Sequence, residues 1–80
     1  MFYVYVLESE KDGAYYIGHT EDLLGRLSDH NSGLSRWTKS KRPWNLVYWE
    51  EYRTRSEAIK RERYLKRLKS RVAIRKLIGV

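Results

Sequence analysis

Three short segments of the chain are rich in β-branched and aromatic residues, and this pattern of hydrophobic positions predicts three β-strands. Residues 2–8 read FYVYVLE, and because apolar or aromatic side chains fall on both faces, this strand is expected to be central in its sheet. YYIG at residues 15–18 resumes the pattern after Asp12-Gly13, a hairpin signal that predicts antiparallel pairing of these two strands. WNLVYWEEY at residues 44–52 is the third predicted strand.

Capping residues and helical spacing of apolar positions predict three helices. Thr20 is expected to cap the first helix, which ends near Gly33. Thr54 and Glu57 form a Thr-x-x-Glu capping box that begins the second helix, and Ser70 is expected to cap the last. The inward sides of the first and last helices are predicted to consist of Leu23, Leu24, Leu27, Ala73, Ile74, Leu77 and Ile78. The order β-β-α-β-α-α predicts an α+β fold in which helices flank a three-stranded antiparallel sheet.

Composition narrows the possible functions. A length of 80 residues predicts one domain, and a formal net charge of +7 favours a polyanionic partner, with nucleic acid ahead of an anionic membrane surface. Simple solvation of helix faces would account for the charge equally well. The chain has no apolar run near the roughly 20 residues that span a bilayer, and its N-terminus lacks signal-peptide features. We therefore expect a cytoplasmic protein without a membrane role.

Glu62 is the most unusual residue of the second helix. It lies between Ala58 and Leu65 on the apolar stripe that should face the core. A carboxylate there needs a partner, which could be a cation in a structural salt bridge, a bound metal ion or a capping hydroxyl. A zinc site is not expected, because the chain has no cysteine and only two histidines, His19 and His30. No nucleophile elbow or phosphate-binding glycine loop is present either.

Three longer stretches resemble the GIY-YIG endonuclease family, and most of all its small single-domain bacterial members. These are YVYVLES, YYIGHTEDLLGRLSDHNSG and RPWNLVYWEEYRTRSEAIKRERYLKRLK. YVY departs from the first signature element, Gly-Ile-Tyr, at the glycine but keeps the tyrosine as Tyr5, and YIG matches the second element fully from Tyr16. The family's arginine, histidine and metal-binding glutamate are matched by Arg26, His30 and Glu62.

The resemblance implies a single GIY-YIG nuclease-like domain over residues 1–80. It implies a metal-dependent endonuclease that hydrolyses DNA phosphodiester bonds, structure-selectively or with weak sequence specificity, in DNA repair or recombination. Mg²⁺ or Mn²⁺ would bind Glu62 and Arg26 would stabilise charge on the scissile phosphate. DNA is the expected partner, with RNA as the alternative, and the protein is expected to be a monomer or a weak homodimer.

The resemblance also implies roles in proton transfer. Tyr5 is expected to be the general base, with Tyr16 and His30 positioning water or relaying the proton. Nearby cations are expected to lower the pKa of Tyr5 from its usual value of about 10. His19 stands where many relatives carry a lysine for this purpose, and it is expected immediately after the second strand.

A basic loop is predicted between Gly33 and Pro43. Its expected nucleic-acid-binding residues are Arg36, Trp37, Lys39, Lys41 and Arg42. Trp37 would either stack on an unpaired base or sugar, or fold back onto the core. A nucleic-acid-binding module with the same fold but little cleavage is the alternative function. The enzyme is favoured because an acid at Glu62 would repel phosphate unless a cation bridged them.

Overall fold

The computed structural model describes residues 1–79, and its elements follow the predicted order. The strands are β1 (Phe2–Ser9), β2 (Tyr15–Thr20) and β3 (Trp44–Tyr52), and the helices are α1 (Leu23–Ser32), α2 (Arg55–Leu68) and α3 (Arg71–Ile78). A short 3₁₀ turn, Lys39–Lys41, lies within the segment predicted as a loop. None of the described helices is long and apolar enough to cross a bilayer.

The sheet has the order β2-β1-β3, and both pairings are antiparallel. β1 is therefore the central strand, as its two apolar faces predict. Tyr5 pairs with Gly18 on one side and with Trp49 on the other. Paired residues of neighbouring strands lie on the same face, so this row positions the groups on either side of Tyr5.

Helices cover both faces of the sheet. On one face, a core formed with α2 and α3 contains Val4, Val6, Ile17, Ala58, Leu65 and Ile74. On the other face, Tyr5, Leu7 and Trp44 pack against side chains that include Leu23 and Leu27 of α1. Burying each large apolar side chain contributes about 1.5–3 kcal/mol. Because β1 supplies residues to both cores, it holds the two layers in a fixed relation.

The junction between β2 and α1 differs from the prediction. Asp22, not Thr20, caps α1, and its carboxylate accepts a hydrogen bond from the Gly25 amide at 3.0 Å. Thr20 instead ends β2, and its hydroxyl accepts from the Asp22 amide at 3.1 Å. His19 lies within β2 rather than after it, because pairing with β1 continues through Thr20. Leu24, expected to face inward, is 75% exposed.

Side-chain contacts fasten α2 to the sheet on both sides. Thr54 caps the helix, accepting from the Glu57 amide at 3.2 Å, as the capping box predicts. Arg61 donates two hydrogen bonds to Glu50 of β3, at 2.9 and 3.0 Å. Glu62, the next residue along the helix, contacts His19 of β2. This arrangement sets where the Glu62 carboxylate lies relative to the sheet.

Candidate active site

The Tyr5 side chain lies directly over Gly18 of the neighbouring strand. A Cβ atom at Gly18 would lie 2.6 Å from the Tyr5 hydroxyl oxygen and 2.8 Å from Cζ. Such distances are too short for any side chain, so only glycine lets the ring occupy this position. The glycine of the YIG element therefore determines where the Tyr5 hydroxyl can lie.

Tyr5, Tyr16 and His30 form a compact aromatic cluster beneath α1. The His30 ring centroid lies 4.8 Å from that of Tyr16 and 6.1 Å from that of Tyr5. The Tyr5 hydroxyl is hydrogen-bonded to His30 Nε2 at 3.1 Å. Tyr5 is only 2% exposed and His30 is fully buried. The structure thus brings together the two tyrosines and the histidine that the sequence placed on three different elements.

Arg26 lies one turn before His30 on α1 and completes this cluster. It ion-pairs with Asp29 at 3.7 Å, and its guanidinium favours the ionised form of the Tyr5 hydroxyl. Burial raises the pKa of Tyr5 to about 12, although Arg26 opposes the change. The expectation that nearby cations lower the pKa of Tyr5 is wrong in this structure, because desolvation of the phenolate outweighs the effect of Arg26.

His30 is prepared to accept a proton. Burial lowers its pKa, and the Arg26 charge lowers it further, while Asp29 acts in the opposite direction. The imidazole is therefore neutral near pH 7, with one ring nitrogen free to accept. A neutral acceptor beside a phenol with a high pKa is a suitable arrangement for proton relay.

Glu62 approaches β2 from the opposite side of the sheet. One carboxylate oxygen contacts His19 Nδ1, and the other accepts from Lys66 Nζ at 2.7 Å. Burial raises the pKa of Glu62, but the Lys66 and His19 contacts outweigh burial and lower it overall. Of the partners that the sequence left open, the structure shows a cation, Lys66, in an ion pair, with His19 at the other oxygen. His19 therefore contributes to the lowered pKa of Glu62.

The two groups of residues meet at β2, which lies at the edge of the sheet. The Tyr5 side chain lies over Gly18 at this edge, whereas Glu62 contacts His19, the next residue of the strand. Glu62 raises the pKa of Tyr5 through its charge. Within residues 1–79, no group of three or more His, Cys, Asp or Glu side chains could hold a metal.

The five predicted nucleic-acid-binding residues differ in their contacts with the rest of the protein and in their exposure. Lys41 pairs with Asp12, whose pKa it holds at about 2. Arg42 Nε donates to the Lys39 carbonyl at 2.9 Å. Arg36, Lys39 and Trp37 are exposed. Trp37 is 84% exposed, so the alternative in which it folds back onto the core is wrong.

Three further residues at the site were not identified from the sequence. Thr38 is buried, and its hydroxyl contacts His30 Nδ1 at 2.7 Å. Trp49 is 51% exposed beside Tyr5. Lys66 binds Glu62 with i, i+4 spacing, which is a signal that could have identified it. Thr38 and Trp49 carry no comparable signal, because their positions depend on the fold of the loop and the register of β3.

Comparisons with known proteins identify a family. Residues 1–76 match the GIY-YIG catalytic domain. A UPF0213 protein of Streptococcus pneumoniae serotype 4 is 44% identical over 68 residues, 84% of this chain and 68% of that protein. One from Listeria monocytogenes is 42% identical over 67 residues, 82% of this chain and 73% of that protein. The solution NMR structure of a UPF0213 protein from Bacillus halodurans has a TM-score of 0.62 and 34% identity, covering 99% of this chain and 84% of that one.

Proposed function

The chain belongs to the GIY-YIG catalytic domain family, and from that premise we propose that it is an endonuclease that hydrolyses DNA phosphodiester bonds with Mg²⁺ or Mn²⁺. The observation that carries the proposal is the buried Tyr5–His30 hydrogen bond beside Arg26. Within this proposal the chain acts as one nuclease domain, a monomer or weak homodimer. Its cleavage is structure-selective or weakly sequence-specific, as in DNA repair or recombination.

The Glu62 carboxylate fits a hard divalent cation that keeps most of its water. It is ionised at neutral pH because its pKa is lowered, and its side chain is 15% exposed. One of its oxygens is held by Lys66, whose half-exposed side chain can move aside. A single carboxylate is a common protein contribution to such a site. When bound, the ion supplies positive charge to the phosphoryl and leaving oxygens.

Tyr5 and His30 would together remove the proton from the attacking water. With a pKa of about 12, Tyr5 is a phenol and not a phenolate at neutral pH. It therefore accepts the proton of the water only as its own proton passes to neutral His30 Nε2, 3.1 Å away. The water oxygen then forms its bond to phosphorus while the bond to the leaving oxygen breaks. Arg26 stabilises the charge that develops on the phosphate.

A nucleic-acid-binding module with little cleavage is the second candidate function. It is favoured by one observation, which is that both oxygens of Glu62 already have partners, the His19 imidazole and the Lys66 ammonium group. The exposed Trp37 and the basic loop would serve either function. The enzyme remains the better proposal, because binding alone does not require a buried phenol hydrogen-bonded to a neutral imidazole.

Cleavage assays on flapped, branched and single-stranded DNA, with Mg²⁺ or Mn²⁺, test the proposal. We expect Glu62→Gln to reduce the single-turnover rate by at least about 100-fold, the scale of a lost electrostatic contribution. Glu57→Gln is the matched control, since Glu57 lies on the same helix within its capping box. Cleavage that persists in Glu62→Gln would contradict the proposal. DNA binding without cleavage by the wild-type protein would support the binding module.

A further inference from the structure

Thr38 is held rigidly beneath the proposed proton acceptor. The residue is 1% exposed, and Oγ1 lies 2.7 Å from His30 Nδ1. The Thr38 carbonyl accepts from Trp44 Nε1 at 2.9 Å, and its amide donates to the Ser35 carbonyl at 3.3 Å. The backbone carbonyl and amide of Thr38 are therefore both held by hydrogen bonds. The hydroxyl has a defined position at Nδ1, whereas Tyr5 contacts the other ring nitrogen.

The direction of each hydrogen bond follows from what the groups can donate. Arg26 acts on the Tyr5 oxygen and can only donate, and within residues 1–79 His30 Nε2 is the only possible acceptor bonded to the Tyr5 hydroxyl, so we assign the Tyr5 proton to the bond with Nε2. A neutral imidazole that accepts at Nε2 carries its proton on Nδ1, which then donates to Thr38 Oγ1. The Thr38 hydroxyl in turn donates to the Ser35 carbonyl at 3.4 Å. The chain of donors is complete and ends on a backbone carbonyl.

We propose that Thr38 is the positioning residue of His30, and that it fixes the tautomer in which Nε2 accepts the Tyr5 proton. Its effect on cleavage rests on the proposed nuclease function, whereas its effect on the tautomer does not. In the step itself, the Tyr5 O–H bond breaks as Nε2–H forms, and the proton of the attacking water goes to the Tyr5 oxygen. Without Thr38, the buried Nδ1–H would lose its acceptor, and the opposite tautomer would be favoured.

The pH profile distinguishes positioning from a purely structural contribution. The groups that face His30 are Tyr5, Tyr16, Arg26 and Asp29, together with the Thr38 hydroxyl. Cleavage should fall as pH drops below the pKa of His30, which burial and the Arg26 charge lower from its usual value of about 6.5, because protonated His30 cannot accept. The Thr38 oxygen stabilises the imidazolium more than the neutral ring, so its removal should move this acid limb to lower pH.

The test compares Thr38→Val, which keeps the shape, with Thr38→Ser, which keeps the hydroxyl. Ser40→Ala is the matched control, because it removes an exposed hydroxyl from the same loop. ¹⁵N NMR of the imidazole nitrogens reads the tautomer, and single-turnover cleavage from pH 5 to 9 reads the rate. In the wild type, Thr38→Ser and Ser40→Ala we expect the proton on Nδ1. In Thr38→Val we expect it on Nε2, with a plateau rate lower by about tenfold or more.

The outcomes separate this inference from the nuclease proposal. A tautomer shift in Thr38→Val in a protein that cleaves no DNA supports the positioning role and overturns the nuclease. An Nε2–H tautomer in the wild type, or an unchanged tautomer and pH profile in Thr38→Val, overturns the positioning role. If Thr38→Val does not fold, the wild-type tautomer and the retention of that tautomer in Thr38→Ser decide the question.

Discussion

Glu62 shows how a single acid can be retained on the apolar side of a helix. Its two oxygens have separate partners, His19 on β2 and Lys66 one turn along α2. The carboxylate stays charged, because these partners more than offset the cost of partial burial. A divalent ion bound to Glu62 would need the carboxylate oxygen that Lys66 contacts, so Lys66 is expected to compete with the metal for Glu62.

Replacement of Lys66 by methionine should strengthen metal binding. Lys66 is half-exposed and pairs with Glu62 at i, i+4 spacing on a helix, so its removal should tighten metal binding by only about two- to fivefold. Mn²⁺ affinity can be measured directly by electron paramagnetic resonance of the free ion. Lys60→Met, which removes an exposed charge from the same helix, is the control. Equal Mn²⁺ affinity in the wild type and Lys66→Met would show that Lys66 does not compete.

At the scale of elements, the β1–β2 pair does more than build the sheet. Its register places Gly18 opposite Tyr5, and the missing side chain lets the Tyr5 ring cross toward the edge of the sheet. The next residue, His19, lies on the opposite face of the same strand, where its side chain contacts Glu62. One two-residue segment of β2 therefore organises both halves of the candidate site.

Gly18→Ala should disrupt this arrangement. The added methyl group would lie 2.6–2.8 Å from Tyr5 Oη and Cζ, and the clash should cost about 1–3 kcal/mol of unfolding free energy. Urea unfolding measures the cost, and a double-mutant cycle with Tyr5→Val isolates its cause. The substitution should cost much less in the Tyr5→Val background. An equal cost in both backgrounds would mean that the destabilisation arises elsewhere.

The sequence predicts elements well where the signal is local. The two apolar faces of β1, the Asp12-Gly13 hairpin and the Thr54 and Ser70 caps all have the predicted outcome in the structure. The prediction for the β2–α1 junction is wrong, because strand pairing continues through Thr20 and Asp22 caps α1 in its place. Tertiary context decided the site chemistry as well, because the pKa of Tyr5 depends on burial that no local pattern encodes.

For the whole molecule, the net charge of +7 is spread over more than one surface. The predicted loop retains exposed cations, although Lys41 is neutralised by Asp12. A second basic surface lines a groove of about 650 Å³ along α2, formed by Lys60, Arg63, Lys66 and Arg67. Because Lys66 also contacts Glu62, this α2 groove is continuous with the candidate site. We therefore expect phosphates to bind along α2 as well as at the loop.

The salt dependence of DNA binding tests this placement. The logarithm of the association constant for duplex DNA should fall linearly with the logarithm of salt concentration, with a slope of about −0.9 for each neutralised phosphate. Replacing Arg63 and Arg67 by glutamine should flatten the slope by roughly 2, because two phosphate contacts are lost. The control replaces Arg75 and Lys76 of α3 by glutamine. Both residues are also exposed, and the control has the same net charge as the first variant. Fluorescence anisotropy between 50 and 300 mM salt measures both. If the two double variants had equal slopes, only overall charge would attract the DNA, and the α2 groove would have no specific part in binding.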